Sequence, residues 1–321
     1  MAQPIIRRRA FLIGSGALAV AGLGGCSTTG LASDASKAIV DSHVHLYDPI
    51  AQSHPWLDGV TPIRKPFVTA DYRAALDGAP VHKIVCIEAA PVLEHSLREA
   101  QWLRQAAAQD QLVGAIVAQA PVERGQEVLR DLDALAGLGK VTGIRRILGA
   151  PFQADPDFPI RPSVIEGVRA LSDYGMVFDL AGISPANLDK AIQLVKACPR
   201  TQFILNHSGR PLIAAAQFQP WARQMKELAT LPNASVKLSN LIRDAGPDWS
   251  IEKIRPFAEI AVQAFGFDRL LFGSDFPVVT LVNRGSIAGS VALMQSVFAQ
   301  ASVDERRKYF HDNAIRLYRI S

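Results

Sequence analysis

VDSHVHLYDP, residues 40–49, ends an apolar run with two histidines one residue apart and then breaks at Asp48-Pro49. In an extended strand, side chains two apart point to the same side, so His43 and His45 share a face. Seven further runs of the same kind follow, at 81–89, 112–118, 141–147, 175–180, 201–207, 234–239 and 269–274, after a first run at 38–45. Between them lie segments of helical period such as 93–109, 185–198 and 250–266, where apolar residues recur every three or four positions. Strands alternating with helices make βαβ units and a parallel sheet, and eight units in this length fit a closed (β/α)8 TIM barrel of the α/β class. An open doubly wound sheet is the runner-up, and no GxGxxG loop follows the first run to favour it.

A barrel makes a further demand: chemistry belongs at the carboxyl ends of the strands. Seven of the eight runs, all but the third, end in or near a polar or ionisable residue: His43 and His45, then Glu88, Arg145, Asp179, His207, Lys237 and Asp275. Any one of these is unremarkable as a cap or a hydrogen-bonded core residue. A mouth lined with all of them is costly to bury unless they pair or bind something. Lys237 and Asp179 also suit a buried ion pair. Tyr47 and Trp56, in the long first loop, suit either stacking on a substrate ring or covering the mouth. His54, His82, His95 and His311 read as structural or exposed.

Three histidines and a late aspartate form a ligand set for one divalent ion, zinc or manganese, with His43, His45, His207 and Asp275 as the donors. Such an ion polarises a carbonyl and acidifies water. The cation Arg145 at the end of the fourth run disfavours a second metal and suits a substrate carboxylate or carbonyl oxygen.

The first 37 residues read differently from the rest. RRRAFLIGSGALAVAGLGGC, residues 7–26, joins an arginine cluster to an apolar stretch too short to span a bilayer, which needs about 20 residues. It reads as a cleaved export signal over 1–26. Arg8-Arg9 with Phe11-Leu12 is similar to a twin-arginine (Tat) pattern, and Leu23-Gly24-Gly25-Cys26 to a lipoprotein cleavage box. The expectation is an exported, periplasmic protein, anchored to the membrane only through lipid on Cys26, with a tether at 27–37 and a barrel domain at 38–321. Without Arg7, Arg8 and Arg9 the balance of 34 basic to 30 acidic residues is near neutral, which argues against nucleic-acid binding. Cys86 and Cys198 read as small buried hydrophobes rather than a disulfide pair.

DSHVHLYDP, CIEAA, VTGIRRIL, VFDL, FILNHSGRP, SVKLSNL, RLLFGSDFPV and DNAIRLYRI, in this order between about 38 and 320, together resemble the amidohydrolase-related (amidohydrolase 2) family. The likeness is to its branch of sugar-acid lactonases and 2-pyrone-4,6-dicarboxylate lactonases. The resemblance implies a hydrolase in which Asp275 activates water, His43, His45 and His207 surround the carbonyl of a small lactone, Glu88 lies nearby and Arg145 contacts substrate, with either no required cofactor or one divalent metal. The chain departs from the pattern in Asn206-His207, Arg145-Arg146 and Ser274-Asp275-Phe276-Pro277. Two other readings compete: a metal-dependent non-oxidative decarboxylase, whose branch places a histidine where this chain has Asp179, and an envelope lipoprotein that binds a sugar acid without turning it over.

Overall fold

The computed structural model describes residues 38–321. The expectations for the export signal, the tether and Cys26 therefore lie outside the described residues. Eight strands run in sequence order, each parallel to the next: β1 (Ile39–Val44), β2 (Val81–Ile87), β3 (Val113–Gln119), β4 (Val141–Ile147), β5 (Val177–Ala181), β6 (Phe203–Leu205), β7 (Ala234–Ser239) and β8 (Leu270–Gly273). The expected (β/α)8 barrel is what the chain forms. The strands are buried on both faces, as parallel strands covered by helices must be, which is why β3 reads VGAIVAQ without a clean alternation of apolar and polar residues.

Helices cover the outside in chain order: α1 (Thr69–Ala74), α2 (Ser96–Gln109), α3 (Leu129–Ala136), α4 (Pro162–Ala170), α5 (Leu188–Ala197), α6 (Trp221–Ala229), α7 (Leu241–Asp244), α8 (Ile251–Phe265), α9 (Ile287–Val297), α10 (Val303–Arg307) and α11 (Asn313–Tyr318). Their ends follow local rules. Pro162 opens α4 where no helical N–H is needed, and Ser302 with Glu305 forms a reciprocal capping box on α10. No helix among the described residues is long and apolar enough to cross a membrane.

Two large apolar regions result, besides a small cluster of Ala90, Ile147 and Ala181. The larger lies between sheet and helices; the smaller fills the lower barrel with Val40, Val85, Val117, Ile204 and Leu271, and is closed from below by Leu317, Tyr318 and Ile320 at the C-terminus. Cys86 and Cys198 are free and buried, as read from the sequence.

The seam between β1 and β8 closes the ring. Val44 bridges Phe276, His45 N–H donates to the Phe276 carbonyl at 2.8 Å, and Asp275 N–H donates to the His43 carbonyl at 2.9 Å. Gly273 is needed at this seam: a Cβ there would stand 2.8 Å from the Cβ of His43. The register of β1 against β2 slips between Asp41 and Val44. Below the slip Val40 joins the interior cluster, whereas above it His43 and His45 are the residues that face the mouth.

Candidate active site

The site begins where the strands end. β6 stops at Leu205, two residues before the end expected from the sequence, because the chain enters a tight turn in which His207 and Ser208 are left-handed (φ +52° and +53°). Asp275, just past β8, is left-handed too, at φ +62°. Backbone strain of this kind costs energy and persists where its surroundings hold it, most often at functional sites.

These turns bring four expected residues together. The His43 and His45 ring centres are 5.0 Å apart, and those of His43 and His207 are 4.5 Å apart. Asp275 Oδ1 lies 3.4 Å from His45 Nε2 and 3.6 Å from His43 Nε2. His43 and Asp275 are buried, His45 is buried except for a little of its ring, and His207 is partly buried. His45 Nδ1 donates to the Ile87 carbonyl at 3.1 Å, which turns Nε2 toward Asp275. His207 Nδ1 pairs with Ser239 Oγ at 2.9 Å.

Burial holds His207 down to about 3, an effect that Asp275 opposes and the cations Arg210, Arg145 and Lys237 reinforce. His43 is held well below its usual value by burial and by Lys237. Burial alone would raise Asp275, yet His207, the contact with His45 and the charge of Arg243 outweigh it and keep the carboxyl below its usual range. At neutral pH the imidazoles of His43 and His207 are thus neutral beside an ionised Asp275 carboxylate.

Beneath it, Lys237 Nζ is bound to Asp179 Oδ2 at 2.5 Å and approaches His43 Nδ1 at 3.3 Å, with Tyr318 hydroxyl donating to Asp179 Oδ1 at 2.8 Å. Both charges are fully buried, so Lys237 is an ion-pair partner under the site. Glu88 and Arg145 form a second buried pair, with Arg145 Nε on Glu88 Oε1 at 2.5 Å and Nη2 on the Glu88 carbonyl at 2.5 Å. Of the five guanidinium hydrogens, this leaves those of Nη1 and one on Nη2. Glu88 Oε2 also accepts the Ala90 N–H at 2.6 Å, so it anchors Arg145 and its own loop at once.

The aromatic residues of the first loop divide. Trp56 donates Nε1–H to the Ala89 carbonyl at 2.7 Å and packs on Ala90, Ile147 and Ala181 at the top of the barrel. Tyr47 is buried away from the mouth: its ring meets His54, Phe67 and Trp56, and its hydroxyl donates to the Ile63 carbonyl at 2.8 Å. Its place is in the support of the loop rather than in stacking on a ligand.

Sequence reasoning passed over a group on the loops after β6 and β7. Arg210 reaches Asp244 Oδ1 at 3.4 Å and borders a cavity of about 430 Å3 formed with the loops after β4 and β5, among them Gln153, Ser184 and Asn187. Arg243 acts on both Asp244 and Asp275. Asn206 and Asn240 bury both side-chain polar atoms without a hydrogen-bond partner, as His43 buries Nε2. The one signal for Arg210 was its place in FILNHSGRP; Arg243 and Asp244 look like ordinary helix polarity.

The donor set bears directly on a metal. His43 Nε2 is buried and unpartnered, His45 Nε2 faces Asp275, and donor atoms of His43, His45 and Asp275 all lie within 4.8 Å of one another. Two imidazoles and a carboxylate at this spacing fit a divalent ion of the zinc type. His207, expected as a fourth ligand, stands beside this group rather than in it.

The pattern extends to the whole described chain. Residues 40–320 match the family model described as Amidohydrolase. The chain belongs to this amidohydrolase family. An uncharacterized protein, y4mH, of Sinorhizobium fredii is 30% identical, with 88% of this chain and 99% of that protein covered. An L-fucono-1,5-lactonase of Burkholderia ambifaria is 27% identical, covering 88% of this chain and 95% of its own. Among solved structures, a zinc-bound amidohydrolase of Burkholderia multivorans superposes with a TM-score of 0.76 at 23% identity, over 88% of this chain and 100% of that one. Family membership supports a hydrolase, and the amidohydrolase superfamily commonly uses a divalent metal.

Proposed function

We propose that this protein is a lactonase, which hydrolyses the cyclic ester of a sugar acid or a carboxylated small molecule. The observation that carries the reading is Asp275: a buried carboxylate, held ionised and facing the Nε2 atoms of His43 and His45 at the barrel mouth. The lactonase name of a relative matched over nearly its full length supports the substrate class.

In this reading Asp275 takes a proton from water as the water oxygen adds to the lactone carbonyl. The ring C–O bond then breaks, and Asp275 returns the proton to the departing ring oxygen, so that one water and one lactone give one hydroxy acid. His43, His45 and His207 surround the oxyanion, in a site dry enough for their polarity to count. Arg145, its Nε pinned by Glu88, presents its remaining N–H groups to a carboxylate or ring oxygen of the substrate. Trp56 borders the bound ring; Lys237 acts from below, through His43. A divalent ion held by His43, His45 and Asp275 would polarise the carbonyl and acidify the attacking water. With the signal-like residues 1–26, the proposal extends to an exported, envelope-located enzyme anchored at Cys26.

The test is proton release by the purified protein on a panel of sugar lactones and carboxylated lactones, each with chelator and with added zinc or manganese. Hydrolysis of a subset, lost in Asp275→Asn, is the expected outcome. An Asp275→Asn protein that turns over at the wild-type rate would remove the assignment, and silence across the panel would remove the lactonase reading.

A further inference from the structure

We propose that Asp41 is a positioning residue that sets the spacing between Asp275 and the histidines of β1. The seam of the barrel is where this matters. The two backbone hydrogen bonds described above join β1 to the Asp275–Phe276 turn, but further down the seam side chains replace the ladder. Ser42 Oγ donates to the Phe272 carbonyl, and Asp41 accepts the rest.

The buried carboxylate of Asp41 serves three donors from three elements. Its Oδ1 accepts the Ser274 N–H at 2.8 Å and the His43 N–H at 3.2 Å, and its Oδ2 accepts the Tyr72 hydroxyl of α1 at 2.8 Å. A single oxygen atom therefore holds both Ser274, the residue before Asp275, and the backbone of His43, and the side chains of His43 and Asp275 meet at 3.6 Å. The slip in β1 register is what allows this: Asp41 reaches the outer helix α1 while His43 faces the mouth.

Asp275 needs such a hold. At φ +62° its side-chain direction depends on the turn that carries it, and that turn is held by Ser274 N–H to Asp41, Asp275 N–H to the His43 carbonyl, His45 N–H to the Phe276 carbonyl, and Phe276 N–H to Ser274 Oγ at 3.1 Å. Only the first depends on a side chain outside the turn. The oxygens of Asp41 are taken up by these donors, so it acts on the site through the backbone and not by touching a ligand.

The inference rests on the reading of Asp275 as the base, and the experiment separates the two. Asp41→Ala, Asp41→Asn and Tyr72→Phe are prepared in the full chain and compared with wild type in kinetics and in crystal structures. Asp41→Ala should lose about 100-fold in kcat with KM changed no more than about 3-fold, because a displaced base impairs the chemical step and not binding. Asp41→Asn keeps an oxygen for the Ser274 N–H and should recover at least about tenfold of that loss. Tyr72→Phe leaves both Oδ1 contacts in place and should stay within about 3-fold of wild type. In crystals, the separation of Asp275 Oδ1 from His45 Nε2, 3.4 Å in wild type, should widen in the alanine variant.

Unchanged kcat or an unchanged separation in Asp41→Ala would overturn the proposal, as would a loss expressed in KM alone. If Asp41→Ala does not fold, the other two variants decide: a larger kcat loss in Asp41→Asn than in Tyr72→Phe supports the clamp, and equal losses refute it. Should wild type hydrolyse no lactone, the functional reading fails while the crystallographic separation still decides the role of Asp41.

Discussion

The two ends of the barrel are built from the same eight strands on opposite terms. At the floor, Leu317, Tyr318 and Ile320 close an apolar cluster, and the one polar group among them, the Tyr318 hydroxyl, finds Asp179. At the mouth, Ala90, His207, Ser208, Asn240 and Asp275 are left-handed, and buried polar atoms of His43, Asn206 and Asn240 have no partner. Buried polar groups are rarely left unmade, and an unmade one costs about 1–3 kcal/mol. The floor is optimised for folding; the mouth gives up stability to hold groups ready for something that is not protein. Changes at the mouth should then cost activity and changes at the floor stability, and each prediction below presses on that division.

The largest expected effect is at Asp275. Its replacement by Asn should lower kcat by about 10³-fold or more, roughly 4 kcal/mol of barrier, while the melting temperature stays within a few degrees of wild type. A comparable loss of stability would show that the mouth is also part of the folding core. Lys237 sits on the boundary and can break the division. Lys237→Met strands the buried Asp179 carboxylate and should cost about 3–5 kcal/mol in urea unfolding. Because Lys237 is also 3.3 Å from His43 Nδ1, turnover should fall with it. Intact kinetics in a destabilised Lys237→Met would assign the pair wholly to the floor.

How much of this could be read in advance follows the same boundary. The strands and the inward pair His43/His45 were legible because alternation and apolar runs are local properties of the chain. Asp275 and His207 were legible as residues, but their left-handed turns were not, since neither is glycine and strain is set by the surroundings. The pairing of Glu88 with Arg145 was beyond reach: β2 and β4 are not neighbours, and two ionisable strand ends read alone as two substrate contacts. Tyr47 misled for a related reason, because an aromatic after a HxH motif carries no sign of which way its loop folds. Asp41 was passed over inside DSHVH, its role being visible only once β8 returns to β1.

A smaller test lies at the floor. Tyr318→Phe removes one donor from the buried Asp179 and should cost about 1.5–3 kcal/mol in unfolding free energy, the range for a hydrogen bond to a charged group. Turnover should be unchanged, because Tyr318 stands on the far side of Asp179 and Lys237 from the histidines. A kinetic defect in a stable Tyr318→Phe would show that the Asp179–Lys237 pair transmits to the mouth.

The smallest expected effect comes from Asp244, behind the mouth. Burial pushes its carboxyl from 3.8 up to about 7, against the pull of Arg210 and Arg243, and its Oδ2 has no hydrogen-bond partner. The native state therefore keeps a proton that the unfolded chain releases between those two values, so the stability this group contributes is complete below the unfolded value and lost as pH rises through about 7. Asp244→Asn cannot ionise and escapes that loss. Melts across the pH range should find the variant and wild type alike near pH 4 and the variant more stable by about 1–2 kcal/mol at pH 8, the Arg210 contact being long and half-exposed. A difference that does not vary with pH would mean that Asp244 is ionised throughout and that its partner is better than the 3.4 Å contact suggests. A difference that grows with pH would place the cost of the mouth beyond the histidines and Asp275, in the loops that carry them.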